Sequence, residues 1–159
     1  MENKKLEKVI NESIELFREN HLPLLKNNVN ERSITHKLAE CILEVSKRSD
    51  NLKDYDIDCE YNRFKDYTKK IDISINKVIK IDDLKAVTIY PDIIIHKRGV
   101  QDRNLLVIEV KKSTNKDKQA IAFDKEKLKV LKNDPYKYEH TLHLIIDMGG
   151  DNDKMDWSH

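Results

Sequence analysis

Three glycines in 159 residues leave no material for a phosphate-cradling loop of the Walker type. Gly149 and Gly150 are followed by no Lys-Ser or Lys-Thr pair, so nucleotide hydrolysis by that route is not expected. The two cysteines, Cys41 and Cys59, have neither the paired spacing of a zinc site nor the density of a disulfide-stapled secreted domain. Both read as buried thiols. No apolar run approaches the roughly 20 residues of a membrane span, and MENKKLEK at the N-terminus carries no apolar signal core behind its charges. The expected compartment is therefore the cytoplasm, with no membrane partner. An excess of one charge is also missing: 30 Lys and Arg face 29 Asp and Glu, for a formal net charge of +1. That balance argues against a uniformly basic coat, so a polyanion would have to meet a local patch or groove. Repeats, low-complexity tracts and interdomain linkers are absent as well.

What is present suits one α/β domain over residues 1–159, long enough to bury a core without disulfides. Leu6, Val9, Ile10, Ile14 and Phe17 recur at helical spacing and predict a first helix from Lys4 to Glu19 within residues 1–25, closed off by Pro23. Asn30 is a good cap for a second helix, whose stripe is Ile34, Leu38, Cys41, Ile42 and Val45. Tyr55, Ile57, Cys59 and Tyr61 alternate as in a half-buried strand. Residues 71–87 alternate only in part, as a strand or an insertion. Lys116 to Lys132 reads as a helix with Ile121, Asp124, Leu128 and Leu131 inward, ended by Pro135, and an apolar strand follows from Tyr138 to Asp147. Residues 148–159 are polar and are expected to fray.

The chemistry gathers between Tyr90 and Lys112, YPDIIIHKRGVQDRNLLVIEVKK, which reads as two apolar strands joined by a polar turn. Side chains alternate along a strand, so Val107, Glu109 and Lys111 share one face while Leu106, Ile108 and Val110 share the other. A carboxylate inside a run such as LLVIEV costs several kcal/mol unless it is paired or metal-bound. Pro91-Asp92, a hairpin and then Glu109-Val110-Lys111 resemble the PD-(D/E)xK signature of the restriction-endonuclease-like superfamily. The motif itself matches in full, and the order of elements from about residue 31 to 147 matches more loosely.

The resemblance implies a three-layer core, a mixed central sheet flanked by helices, and metal-dependent hydrolysis of phosphodiester bonds, in DNA before RNA. Asp92 and Glu109 would hold Mg²⁺ or Mn²⁺, a hard cation that prefers oxygen ligands, and the carbonyl of Val110 would complete the shell. Lys111 would orient or help deprotonate the attacking water, or stabilise charge on the phosphate. Stepping back by three from Ile34 lands on Glu31, which is the positional match for the helix-borne Glu of many members. A Glu in a first helical turn is also favoured by the helix dipole alone.

Lys112, Lys116 and Lys118 lie just past the motif and are placed to touch phosphate, although a Lys-rich helix face is commonly only solvated. The same two readings hold for Arg32 and His36, for Lys97, Arg98 and Arg103 in the turn, and for the cationic, aromatic stretch of Tyr61, Arg63, Phe64, Lys65, Tyr67, Lys69 and Lys70. His96 reads as packing or hairpin surface. Asp124 would pair with a core Lys or begin a shorter helix. The plainest alternative for the motif is an exposed Glu109–Lys111 ion pair beside a turn aspartate, worth about 0–1 kcal/mol. Two other functions stay open: a non-catalytic nuclease-fold module for nucleic-acid binding or assembly with a larger complex, and an α/β scaffold without either role. A homodimer is also open, because one small domain that cuts both strands needs two copies or two visits.

Overall fold

The computed structural model describes residues 3–61, 63–64, 67–68, 70–71 and 87–159. Helix α1 runs Asn3–Lys26 and α2 runs Glu31–Lys47, followed by strand β1 at Asp56–Cys59. Two short ribbons come next, β2 (Arg63–Phe64) with β3 (Tyr67–Thr68), and β4 (Lys70–Ile71) with β5 (Val87–Thr88). Then come β6 (Ile93–Lys97), β7 (Val100–Lys112), α3 (Lys118–Lys132), β8 (His140–Ile146) and β9 (Lys154–Ser158). Most of the stretch 71–87 lies outside the described residues, as do Lys65 and Lys69 and the side chains of Arg63, Phe64, Tyr67 and Lys70.

The main sheet has the order β1-β6-β7-β8-β9 and is mixed, with β7 and β8 parallel and the other pairs antiparallel. Its central strand, β7, is the run that the period-2 pattern divides between two faces. Leu106, Ile108 and Val110 join Ile93 and Ile95 under α1 and α2, whereas Val107 joins Ile94 under Leu128 and Leu131 of α3. Helices therefore cover both faces, and the strands carry apolar side chains in both directions as a doubly covered sheet must. A parallel β7–β8 pair needs a crossover, and α3 provides it.

Three local features differ from the sequence reading. Helix α1 does not stop before Pro23. It breaks at His21 (φ −127°, ψ 22°) and resumes, so Pro23 falls in the first turn of a new segment, where its missing N–H leaves no helical bond unmade. Leu25 in that segment is buried. The polar stretch between the two apolar strands is not one long turn: Lys97 pairs with Val100, and only Arg98 and Gly99 reverse the chain, with Gly99 at φ +76° where glycine is favoured. The ladder then accommodates the polar residues through irregularities on either side of His96.

The third correction concerns residues 148–159, which do not fray throughout. Lys154–Ser158 pairs with β8 from Ile145↔Lys154 to Thr141↔Ser158. Met155 and Trp157 rest on the larger core cluster while Lys154, Asp156 and Ser158 face outward. Arg18 of α1 holds the loop before this strand, donating to both carboxylate oxygens of Asp153 and to the carbonyls of Asp147 and Gly150. Cys41 is buried as expected, but Cys59 is only half-buried, and burial pushes its thiol up to about 11.

Asn30 caps α2 through its side-chain oxygen, which accepts from the Ser33 N–H at 2.8 Å. Asn30→Ala is expected to lower the unfolding free energy by about 1 kcal/mol in urea titrations. An unchanged midpoint would mean that the cap is not what starts this helix.

Candidate functional site

The β6–β7 register sets Ile93 opposite Ile108, so the next residue back, Asp92, falls beside Glu109 on adjoining chain segments. Asp92 is half-buried, and its Oδ2 accepts the Val110 N–H at 2.8 Å, which fixes the carboxylate against β7. Glu109 is completely buried. Its Oε2 lies 2.5 Å from the Nζ of Lys127 on α3, and its Oε1 has no hydrogen-bond partner among the described residues.

Lys111, one pleat further along the same face, is held by two carboxylates. Its Nζ stands 2.9 Å from Glu31 Oε1 and 2.9 Å from Asp124 Oδ2. Helix α2 packs on the opposite face of the sheet, so Glu31 reaches over the end of β7. Its second oxygen accepts the Lys112 N–H at 3.1 Å. Glu31, in the first turn of α2, is thus tied to the motif at two points. Asp124 also lies 3.7 Å from Lys127 Nζ, so α3 contributes one acid and one base to the cluster.

Four carboxyl groups (Glu31, Asp92, Glu109 and Asp124) therefore surround two ammonium groups (Lys111 and Lys127). Burial pushes Glu109 well above the ordinary glutamate range, and the charges of Asp92 and Asp124 add to the effect. Burial also raises Asp92, against the opposing Val110 N–H and the two lysines. For Lys111, burial acts to lower the pKa, but hydrogen bonds to Asp124 and Glu31 outweigh it and hold the ammonium above its ordinary range. Lys127 is raised in the same manner: burial opposes its charge, and Glu109 and Asp124 restore it.

This donor set fits a hard divalent cation. Two carboxylates approach each other, one oxygen of Glu109 lacks a partner, and the site carries more acid than base. Among the described residues no three His, Cys, Asp or Glu side chains form a ligand cage. A Mg²⁺ ion does not require one, since it binds through one or two carboxylates and keeps several waters. Asp92 and Glu109 would hold the ion. The structure ties Val110 to the pair through its N–H.

The remaining expected contacts lie elsewhere. Lys112 does not present its ammonium to an open face: Nζ donates to Asn28 Oδ1 at 3.0 Å and to the Val29 carbonyl at 2.9 Å, fastening the α1–α2 loop. Lys116 donates to the Ser113 carbonyl at 2.7 Å, and Lys118 is exposed in the first turn of α3. Arg32 is exposed and paired with Glu60, and His36 is exposed. His96 is buried against Asp58 Oδ2 at 2.8 Å, a carboxylate that Arg98 also engages. Burial raises Asp58, and its bonds to Arg98 and His96 overcome this, leaving it below the usual carboxylate range.

Sequence reasoning missed Lys127 and His143. The signal for Lys127 was spacing, because it stands three residues after the inward Asp124 and four before Leu131. His143 lies opposite Glu109 in the parallel β7–β8 register, is buried, and has no partner for its Nε2 among the described residues. Burial lowers its pKa. An apolar run that contains histidines carries no mark of which strand will lie beside it.

The raised Glu109 gives the metal-free protein a signed pH dependence. The folded state retains a proton that the unfolded chain releases near the ordinary value of 4.5, so the stability from this group is present below that value and is lost as pH rises through the folded value. Glu109→Gln is expected to flatten the decline, so the stability difference between wild type and variant at pH 8 should be less favourable to wild type than at pH 4. Parallel thermal melts at the two pH values, in chelator, check this. Comparisons of the chain with family models, curated proteins and solved structures give no match, so the functional reading rests on the site's own geometry.

Proposed function

We propose that the protein is a metal-dependent nuclease that hydrolyses phosphodiester bonds, in DNA before RNA, built on a core of the restriction-endonuclease-like, PD-(D/E)xK type. The observation that carries this reading is the pairing of Asp92 with a fully buried Glu109 on neighbouring segments, with Lys111 on the same face. A surface ion pair would need none of this burial. An acid with an unpartnered oxygen inside a central strand is costly to keep unless it has a cation to hold.

A bound Mg²⁺ or Mn²⁺ would supply acidification of a coordinated water and neutralisation of charge on the phosphate during in-line displacement. The chain's own residues have separate tasks. Asp92 and Glu109 bind the ion, and the Val110 N–H aims Asp92. Glu31 and Asp124 hold the Lys111 side chain from two directions, so its ammonium is positioned before substrate arrives. The two carboxylates fix the Lys111 ammonium beside the metal-binding acids, where it would orient or help deprotonate the attacking water, or stabilise charge on the phosphate. One observation favours the second reading, a non-catalytic nucleic-acid-binding or assembly module: the Lys127–Glu109 ion pair already neutralises one of the acids.

Cleavage of supercoiled and linear DNA in Mg²⁺ or Mn²⁺ separates these readings. Wild type should cut, chelator should stop it, and Lys111→Ala should lower the rate by about 10²–10³-fold, as for loss of one preorganised electrostatic donor. Asp92→Asn should abolish cutting. DNA binding without cutting, insensitive to Lys111→Ala, would point to the module instead.

A further inference from the structure

Lys127 belongs to neither half of the motif, yet it makes the shortest contact to the most deeply buried acid. Its side chain is 8% exposed, that of Glu109 is 1% exposed, and the two charged atoms are 2.5 Å apart. Whenever this group is ionised it needs a positive partner, and α3 brings one. The two lysines of the cluster are nevertheless held differently. Lys111 has two carboxylates at 2.9 Å, so moving it would leave both acids uncompensated. Among the described residues Lys127 has one acid in close contact, Glu109, with Asp124 farther off at 3.7 Å.

Its other contacts among the described residues are longer. Asp124 Oδ1 is 3.7 Å from Nζ, the Tyr90 carbonyl is 3.5 Å away, and the Phe123 ring centroid is 5.9 Å away. Tyr90 is about half exposed, at the rim of the site. A lysine is a point charge on a flexible four-carbon stem, so it can exchange one acceptor for another without moving its helix. These weaker acceptors give the ammonium somewhere to go.

We propose that Lys127 is a resident counter-cation of Glu109, exchanged for the divalent ion when the site is loaded, so that ammonium and metal compete for one carboxylate. This rests on the metal-dependent reading above. A divalent ion on either oxygen of Glu109 would add positive charge beside the Lys127 ammonium, and the two cations would repel each other across one carboxylate. In the metal-free protein, Lys127 keeps the acid from standing uncompensated in the core. In the loaded protein it withdraws toward the Tyr90 carbonyl and faces the rim from which a phosphate would approach. Lys127 is then a positioning residue that sets metal affinity, distinct from the Lys111 that the motif supplies.

The test is Mn²⁺ binding to the full chain, followed by the electron paramagnetic resonance of free Mn²⁺, with Glu109→Gln as the variant lacking the ligand. Lys127→Met is expected to bind Mn²⁺ at least about ten-fold more tightly than wild type, because a competing like charge has been removed. Its metal-free thermal midpoint should fall, and Mn²⁺ should raise it by more than it raises wild type. A purely structural lysine would lower the midpoint without tightening the metal.

If wild type binds Mn²⁺ and Lys127→Met binds it equally or less well, the exchange is wrong and the metal site stands. If neither binds, both fail together. Should Lys127→Met not fold, the wild-type protein still decides. On titration with Mg²⁺ the side-chain ammonium resonance of Lys127, assigned through Lys127→Arg, should move while that of Lys111 stays within its hydrogen-bonded range. A Lys127 resonance unmoved at saturating Mg²⁺ overturns the proposal.

Discussion

One carboxyl group in the middle of a central strand governs the arrangement of everything near it. Glu109 has apolar residues before and after it in β7, a strand on either side and a helix above, and no exposed surface. Water cannot compensate its charge there, so the protein must. The answer comes from α3, which supplies Lys127, while Asp92 ahead of β6 places a second acid beside Glu109 and Lys111 follows on the same face with two acids of its own. The cluster is a set of linked charges in which each member is tolerable only because of another. It holds more acids than lysines among the described residues, which is what the proposed divalent cation would balance.

The two faces of the sheet differ in what they bury. Under α1 and α2 the packing is mainly apolar, from Leu6 to Phe17 on one helix and Ile34 to Val45 on the next, against Ile93, Ile95, Leu106, Ile108 and Val110, with the hydroxyls of Ser13, Thr35 and Ser46 also buried. The other face carries a smaller apolar cluster of Ile94, Val107, Leu128, Leu131, Tyr136 and Tyr138 toward the start of β7, and the charges toward its end. Helix α3 bridges these zones. Its inner stripe changes from Leu128 and Leu131 to Asp124 and Lys127 within about one turn, so the packing that anchors the helix also aims its charged residues. Polar groups held by a rigid, packed helix lose little further freedom when a ligand arrives.

The lysines show why charge alone does not assign a role. Lys111, Lys112 and Lys127 all lie near the same strand end or its covering helix, but they do three different things. Lys112 fastens a loop through Asn28 and Val29, Lys111 is held between Glu31 and Asp124, and Lys127 faces Glu109. What separates them is the direction in which each stem leaves the backbone and how many acids meet it. Consecutive residues on a strand point to opposite faces, which is why Lys111 and Lys112 cannot share a partner set even though both reach Glu31, one by side chain and one by main chain.

Much of the site was legible beforehand because it follows from local periodicity. Alternation along β7 places Glu109 with Lys111 and apart from Val110, the Asn30 cap and the three-and-four spacing of α2 put Glu31 at the end of its buried stripe, and the strand-to-helix order after Lys112 implies a parallel neighbour. Other features depend on how elements approach one another in space. The strand at Lys154–Ser158 has only Met155 and Trp157 as apolar alternation, and its pairing with β8 comes from main-chain groups that carry no residue signature. The Lys127–Glu109 contact requires the rotation and height of α3 over the sheet, and His143 beside Glu109 requires the register of two strands joined through a helix. Residue spacing dictates which side chains share a face; only packing dictates which faces meet, because that choice is made by distant apolar surfaces seeking burial rather than by the residues at the site.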